Sequence, residues 1–138
     1  MELMARQLME PAKVRLMNPL QMAYIGDTVW DLMVRSRLMR TGHNVHKLHQ
    51  MATQRVNATA QSHAAEKILD SLTQEEADIF RRGRNAHSRH AAPKHQDPAA
   101  YSAATGLEAL IGYLYLTGQD DRLIQLFDQS QQEDEEHA

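Results

Sequence analysis

Two acidic residues occupy positions where an acid is costly. Glu108 is the only charged residue of the run Gly106-Leu107-Glu108-Ala109-Leu110-Ile111-Gly112-Tyr113-Leu114-Tyr115-Leu116. A helix apolar on nearly every face is buried, and a buried carboxylate is unstable unless it is paired, protonated or bound to a cation. Two readings follow, an internal salt bridge to an arginine and a metal-binding or catalytic role, and the second is preferred. Asp27 closes the run Ala23-Tyr24-Ile25-Gly26-Asp27. Glycine inside a helix costs about 1 kcal/mol against alanine, so Gly26 implies close approach of another backbone. Asp27 therefore sits beside a packing point, between Tyr24 and Trp30, although a surface acid paired with a nearby arginine would look the same. Asp31, one turn on, is read as solvated. Two such carboxylates from separate helices supply hard oxygen ligands of the kind magnesium takes, leaving room for water and a phosphate. A cation held there would favour hydrolysis of a phosphodiester.

A second concentration of chemistry lies between them. Arg81, Arg82, Arg84, Arg89 and Lys94, with His87, His90 and His95, fall in a stretch with no acid between Ile79 and Gln96. This is either a solvated basic loop or a surface for an anionic partner. The formal charge of −3 does not oppose the latter. Five acids (Asp128, Glu133, Asp134, Glu135, Glu136) fall in the last eleven residues, which hold no Lys or Arg, so the remainder carries −3 + 5 = +2.

The elements that must position these groups read as helices throughout, with no sustained strand alternation and no hairpin turn. Asn18-Pro19 opens a helix that runs to about Thr41-Gly42. The Ala-, Gln- and Leu-rich stretch from His46 to about Leu72 has no internal Gly or Pro and reads as continuous helix. Thr73 and Glu76 form a capping box for a helix through Phe80 and Arg84. Ala86 to Gln96 reads as a loop, Asp97-Pro98 opens the Glu108 helix, and Thr117-Gly118 ends it. A last helix, about Asp120 to Gln129, presents Leu123, Leu126 and Phe127 on one stripe. The predicted organisation is an N-terminal extension at 1–17, one all-α catalytic domain at 18–129 and an acidic tail at 130–138.

At 138 residues there is room for one core and no second binding module. The absence of cysteine excludes disulfides, thiolate metal sites and a cysteine nucleophile. No secretory signal layout and no membrane-length apolar span is present, so a cytoplasmic protein is expected.

Ala-Tyr-Ile-Gly-Asp at 23–27, then Arg-Gly-Arg-Asn-Ala at 82–86, Pro-Lys at 93–94 and Leu-Glu-Ala-Leu-Ile-Gly-Tyr-Leu at 107–114 follow in an order that resembles Mini-ribonuclease III. This is the short branch of the RNase III family, without a double-stranded-RNA-binding domain. The resemblance spans about Asn18 to Phe127 and implies an all-helical, homodimeric endonuclease of duplex RNA. It further implies Asp27 and Glu108 as catalytic carboxylates that bind Mg2+, with Mn2+ as a substitute, and products with 5′-phosphate and 3′-hydroxyl ends. The substrate implied is precursor ribosomal RNA, cut near the ends of the large-subunit (23S) molecule. Arg82, Arg84, Asn85, Arg89 and Lys94 become candidates for RNA contacts, since the catalytic domain must hold the duplex itself. Longer members of the family carry further acids where this chain has Leu20, Ala23 and Thr105; the short branch shares this thinner set. Thr105 is then a candidate to hydrogen-bond water around the cation, or simply a helix-surface threonine.

Two rivals remain at this level. One is a catalytically silent, RNA-binding or ribosome-associated scaffold of the same fold, which would have no need of both Asp27 and Glu108. The other is a helical metalloprotein using histidines such as His46 and His49, against which stands the lack of any Glu-x-x-His or His-Glu-x-x-His motif.

Overall fold

Asparagine or aspartate followed by proline opens both long helices. In the computed structural model, which describes residues 6–86 and 97–132, α1 spans Pro11–Arg15 and α2 spans Pro19–Leu38. Asn18 caps α2 by accepting from the Leu20 amide at 2.9 Å, while the Gln21 side chain accepts from the Asn18 amide at 3.2 Å. A short 3₁₀ turn, Met39–Thr41, then leads to Gly42, whose φ of 72° stops the helix. The next helices are α3 (Val45–Val56), α4 (Ala58–Ile68), α5 (Gln74–Asn85), α6 (Pro98–Leu116) and α7 (Asp120–Ser130). No strand occurs among the described residues, and no described helix is long and apolar enough to cross a membrane. The fold is all-α, as the sequence predicts.

One element differs. The stretch from His46 to Leu72 is broken at Asn57, which has extended backbone (φ −78°, ψ 165°) and accepts from the Ala60 amide at 2.8 Å to start α4. A lone asparagine breaks this helix because its short side chain offers the backbone a local alternative partner. The break lets α3 pack on α2 while α4 packs on α6.

Helix α6 forms the axis of the molecule. Residues 104–107 and 109–114 are buried, because α2, α4 and α5 pack around it and α7 and α1 also contact it. Trp30 of α2 extends the core, packing edge-on against Phe127 of α7 at 5.1 Å and donating its indole N–H to the Arg55 carbonyl at 3.2 Å. Residues ahead of α2 dock on this body. Val14 is fully buried, the Met9 amide donates to the Leu116 carbonyl at 2.9 Å, and Arg6 grips both carboxylate oxygens of Asp120.

The capping box of α5 has a second task. Glu76 accepts from the Thr73 amide, and its two oxygens also accept from Arg122 of α7 at 2.9 and 2.8 Å, with only 6% of the Glu76 side chain exposed. Although burial alone would raise its pKa, the bonds from Arg122 and Thr73 prevail and hold the carboxyl below its ordinary 4.5. Glu76→Ala would leave the partly buried Arg122 guanidinium without its counter-charge and remove the carboxylate half of the α5 capping box, a loss expected at about 3 kcal/mol in urea denaturation. Because the folded-state pKa is depressed, this contribution is present above about pH 4.5 and is lost as pH falls below it, so the parent and the variant converge in acid.

Candidate active site

The site originates in a contact between backbones. A Cβ placed on Gly26 of α2 would lie 1.7 Å from the Glu108 carbonyl oxygen of α6, and one on Gly112 would lie 1.9 Å from the Met22 carbonyl. The two helices therefore cross with no side chain between them. The same device recurs on α5, where a Cβ on Gly83 would meet the Gly106 Cα at 3.0 Å and one on Gly106 would meet the Phe80 carbonyl at 2.8 Å.

This crossing brings the Asp27 and Glu108 carboxyl groups within hydrogen-bonding reach of each other. Asp27 is exposed, whereas Glu108 is partly buried, so the pair forms a short column from solvent into the helix layer. Burial, then the hydrogen bond and charge of Asp27, push the Glu108 carboxyl up to about 8, against a smaller opposing effect of the Gln61 amide. Neither acid forms an ion pair with Lys, Arg or His among the described residues. The salt-bridge reading instead fits Asp31, which pairs with Arg35 one turn along at 2.7 Å. Two adjacent carboxylates with no basic partner among the described residues, one of them holding its proton unusually tightly, suit a hard divalent ion. His46 and His49 are exposed on α3, and no cluster of three or more His, Cys, Asp or Glu side chains lies among the described residues.

Gln61 escaped the sequence reading. It lies on the buried stripe of α4 with Ala64, Ala65 and Ile68, and its Nε2 donates to Glu108 Oε2 at 3.4 Å. A glutamine on an otherwise apolar stripe is the signal that could have found it. Thr105 is not a surface residue. It is buried one turn before Glu108, and its hydroxyl donates to the Tyr101 carbonyl at 3.1 Å.

The basic candidates divide. Arg82 donates to the Arg15 carbonyl at 2.7 Å and the Met17 carbonyl at 3.0 Å, so its guanidinium caps the chain leaving α1 and is not grouped with the carboxylates. Arg84 and Asn85 are exposed at the end of α5, with the Arg84 guanidinium 6.0 Å from the centre of the Phe80 ring. Arg89 and Lys94, with His87, His90 and His95, lie outside the described residues.

Helix order and paired carboxylates define the class of protein. Residues 20–119 match the model of the Ribonuclease III domain. Among curated relatives, the Mini-ribonuclease 3 of Symbiobacterium thermophilum is 50% identical over 106 residues, covering 76% of this chain and 81% of its own length. That of Thermoanaerobacter sp. is 40% identical over 131 residues, covering 94% and 92%. The crystal structure of a protein from Fusobacterium nucleatum aligns with a TM-score of 0.76 at 30% identity, over 83% of this chain and 92% of that one. The chain belongs to the Mini-ribonuclease 3 branch of the ribonuclease III family and is an endoribonuclease.

Proposed function

We propose that this endoribonuclease cuts duplex RNA as a homodimer, with Mg2+, or Mn2+ in its place, held by Asp27 and Glu108. Its substrate is precursor ribosomal RNA, processed near the ends of the 23S molecule, as the family resemblance implies. The observation that carries the reading is the Asp27 and Glu108 pair, brought together by a glycine crossing and, among the described residues, left without a basic partner. A scaffold needs neither acid, and an unbalanced pair of this kind costs stability.

When bound, the cation supplies Lewis acidity for water attack on the phosphodiester and for departure of the leaving oxygen. Asp27 would hold the cation at the exposed end, toward the incoming phosphodiester, and Glu108 would hold it at the inner end, where its backbone is wedged against Gly26. Burial keeps bulk water from screening Glu108, which strengthens its pull on a cation. Dimerisation is supported by exposed apolar side chains along α2, where Tyr24 is 83% exposed and Leu32 is also exposed, with Met39 exposed in the turn that follows.

The test is incubation of annealed and single-stranded RNA with the protein and Mg2+, with mapping of product ends. Duplex-selective cutting that stops with EDTA and leaves 5′-phosphates is expected, and equal cutting without any divalent cation would overturn the reading. Arg84→Ala is expected to weaken duplex binding and to reduce the slope of log affinity against log salt by about one, the loss of one phosphate contact. Titrations at four salt concentrations check it, an unchanged slope removing Arg84 from the RNA surface.

A further inference from the structure

Gln61 is 3% exposed, and among the described residues the one hydrogen bond of its side chain is the long one from Nε2 to Glu108 Oε2 at 3.4 Å. Its carboxamide oxygen receives no donor among the described residues. A buried amide left half-bonded opposes folding, and an apolar residue of the same shape would serve α4 better. The amide must therefore be explained by what it faces.

It faces the inner end of the carboxylate pair. A site with only two protein carboxylates leaves most positions around a divalent ion to water, and those waters need acceptors for their hydrogens. Asp27 is exposed and its waters can bond to solvent, but Glu108 is half-buried on a largely apolar helix, and the Gln61 amide is a described neutral polar group that reaches it. A neutral carboxamide suits that position. It accepts without adding a third negative charge, and it donates to one oxygen of Glu108, holding that carboxylate in one rotamer against repulsion from Asp27.

We propose that Gln61 is a positioning residue of the cation site: its Nε2 orients Glu108, and its Oε1 accepts from the hydration shell of the divalent ion. The inference rests on Asp27 and Glu108 being that ion's ligands. It makes the third member of the site a residue of α4, reaching across 47 positions of sequence.

The test uses the RNA-free protein titrated with Mn2+, with free Mn2+ followed by electron paramagnetic resonance. The parent is compared with Gln61→Met, Gln61→Asn and Glu108→Gln. Met keeps the shape without the amide, and Asn withdraws the amide by one methylene and carries the test if the Met chain does not fold. Both Gln61 variants are expected to bind Mn2+ about 10- to 100-fold more weakly, the usual consequence of losing a partner behind a metal ligand. The Mg2+ needed for half-maximal cleavage should rise in parallel, with the rate recovering at saturating Mg2+, while melting of Gln61→Met in EDTA stays at or above the parent's. A merely structural glutamine would instead lower the melting temperature and leave Mn2+ affinity within twofold of the parent; that result, with binding lost in Glu108→Gln, overturns the role of Gln61 alone. Mn2+ binding that survives in Glu108→Gln overturns the carboxylate site beneath it.

Discussion

Glu108→Gln is expected to lower cleavage of duplex RNA by about a thousandfold or more while leaving the fold as stable as the parent or more so. The rate loss follows from removing the proposed inner anchor of the cation, whose contribution of several kcal/mol to the transition state corresponds to about three decades. The stability gain follows from the neutral isostere, which removes an acid pushed up to about 8 by burial and by Asp27. Its sign can be worked through pH. Between about 4.5 and 8 the folded protein holds a proton that the unfolded chain has released, so without metal this contribution is full below about 4.5 and disappears as pH rises through about 8. In EDTA the melting temperature of the parent should therefore fall between pH 6 and 9 relative to Glu108→Gln, and saturating Mg2+ should reverse most of that fall. Parallel melting curves for the two proteins across this range would sink the assignment of the buried acid.

Gly26→Ala should damage the fold more than any exposed alanine substitution of its size. The added methyl would lie 1.7 Å from the Glu108 carbonyl oxygen and 2.8 Å from the Gly112 amide nitrogen. Both obstacles are backbone, so no rotamer relieves the overlap and α2 must move off α6. Overpacking costs about 1–3 kcal/mol and occasionally more, and helix propensity returns about 1 kcal/mol on replacing glycine, so a net loss of about 2 kcal/mol or more is expected from a clash this deep. The control is Gly42→Ala, with φ of 72° and nothing within 4 Å of the added carbon, where only backbone strain of about 1 kcal/mol applies. Urea denaturation of the pair checks the order. Because Gly26 also sets the spacing of Asp27 and Glu108, residual activity of Gly26→Ala should fall further than its folded fraction accounts for.

Both acids were legible because their surroundings were wrong for idle carboxylates. A single glutamate in an apolar helix needs a partner, and a glycine beside Asp27 announces a neighbouring backbone. Helix starts at Asn18-Pro19, Thr73 and Asp97-Pro98 were legible because cap chemistry is local. The break at Asn57 was not, because asparagine is also tolerated inside helices and neither Gly nor Pro marks it. Gln61 was hidden for a different reason, since its meaning lies in a contact between α4 and α6 that no periodicity encodes. Arg82 showed as a cation, but which acceptors its guanidinium takes depended on where the carbonyls of Arg15 and Met17 came to rest.

The glycine contacts along α6 separate two kinds of change. Where main chains touch directly, as at Gly26 and Gly112, the distance between helices does not depend on the size of any side chain. Volume-conserving exchanges elsewhere in the core, at Leu107 or Leu110 for instance, should then leave the spacing of the acids unaltered even where they soften the packing. The outer surfaces of α3, α4 and α5 are correspondingly free to vary, so such a scaffold can be retuned toward a different RNA without disturbing its chemistry.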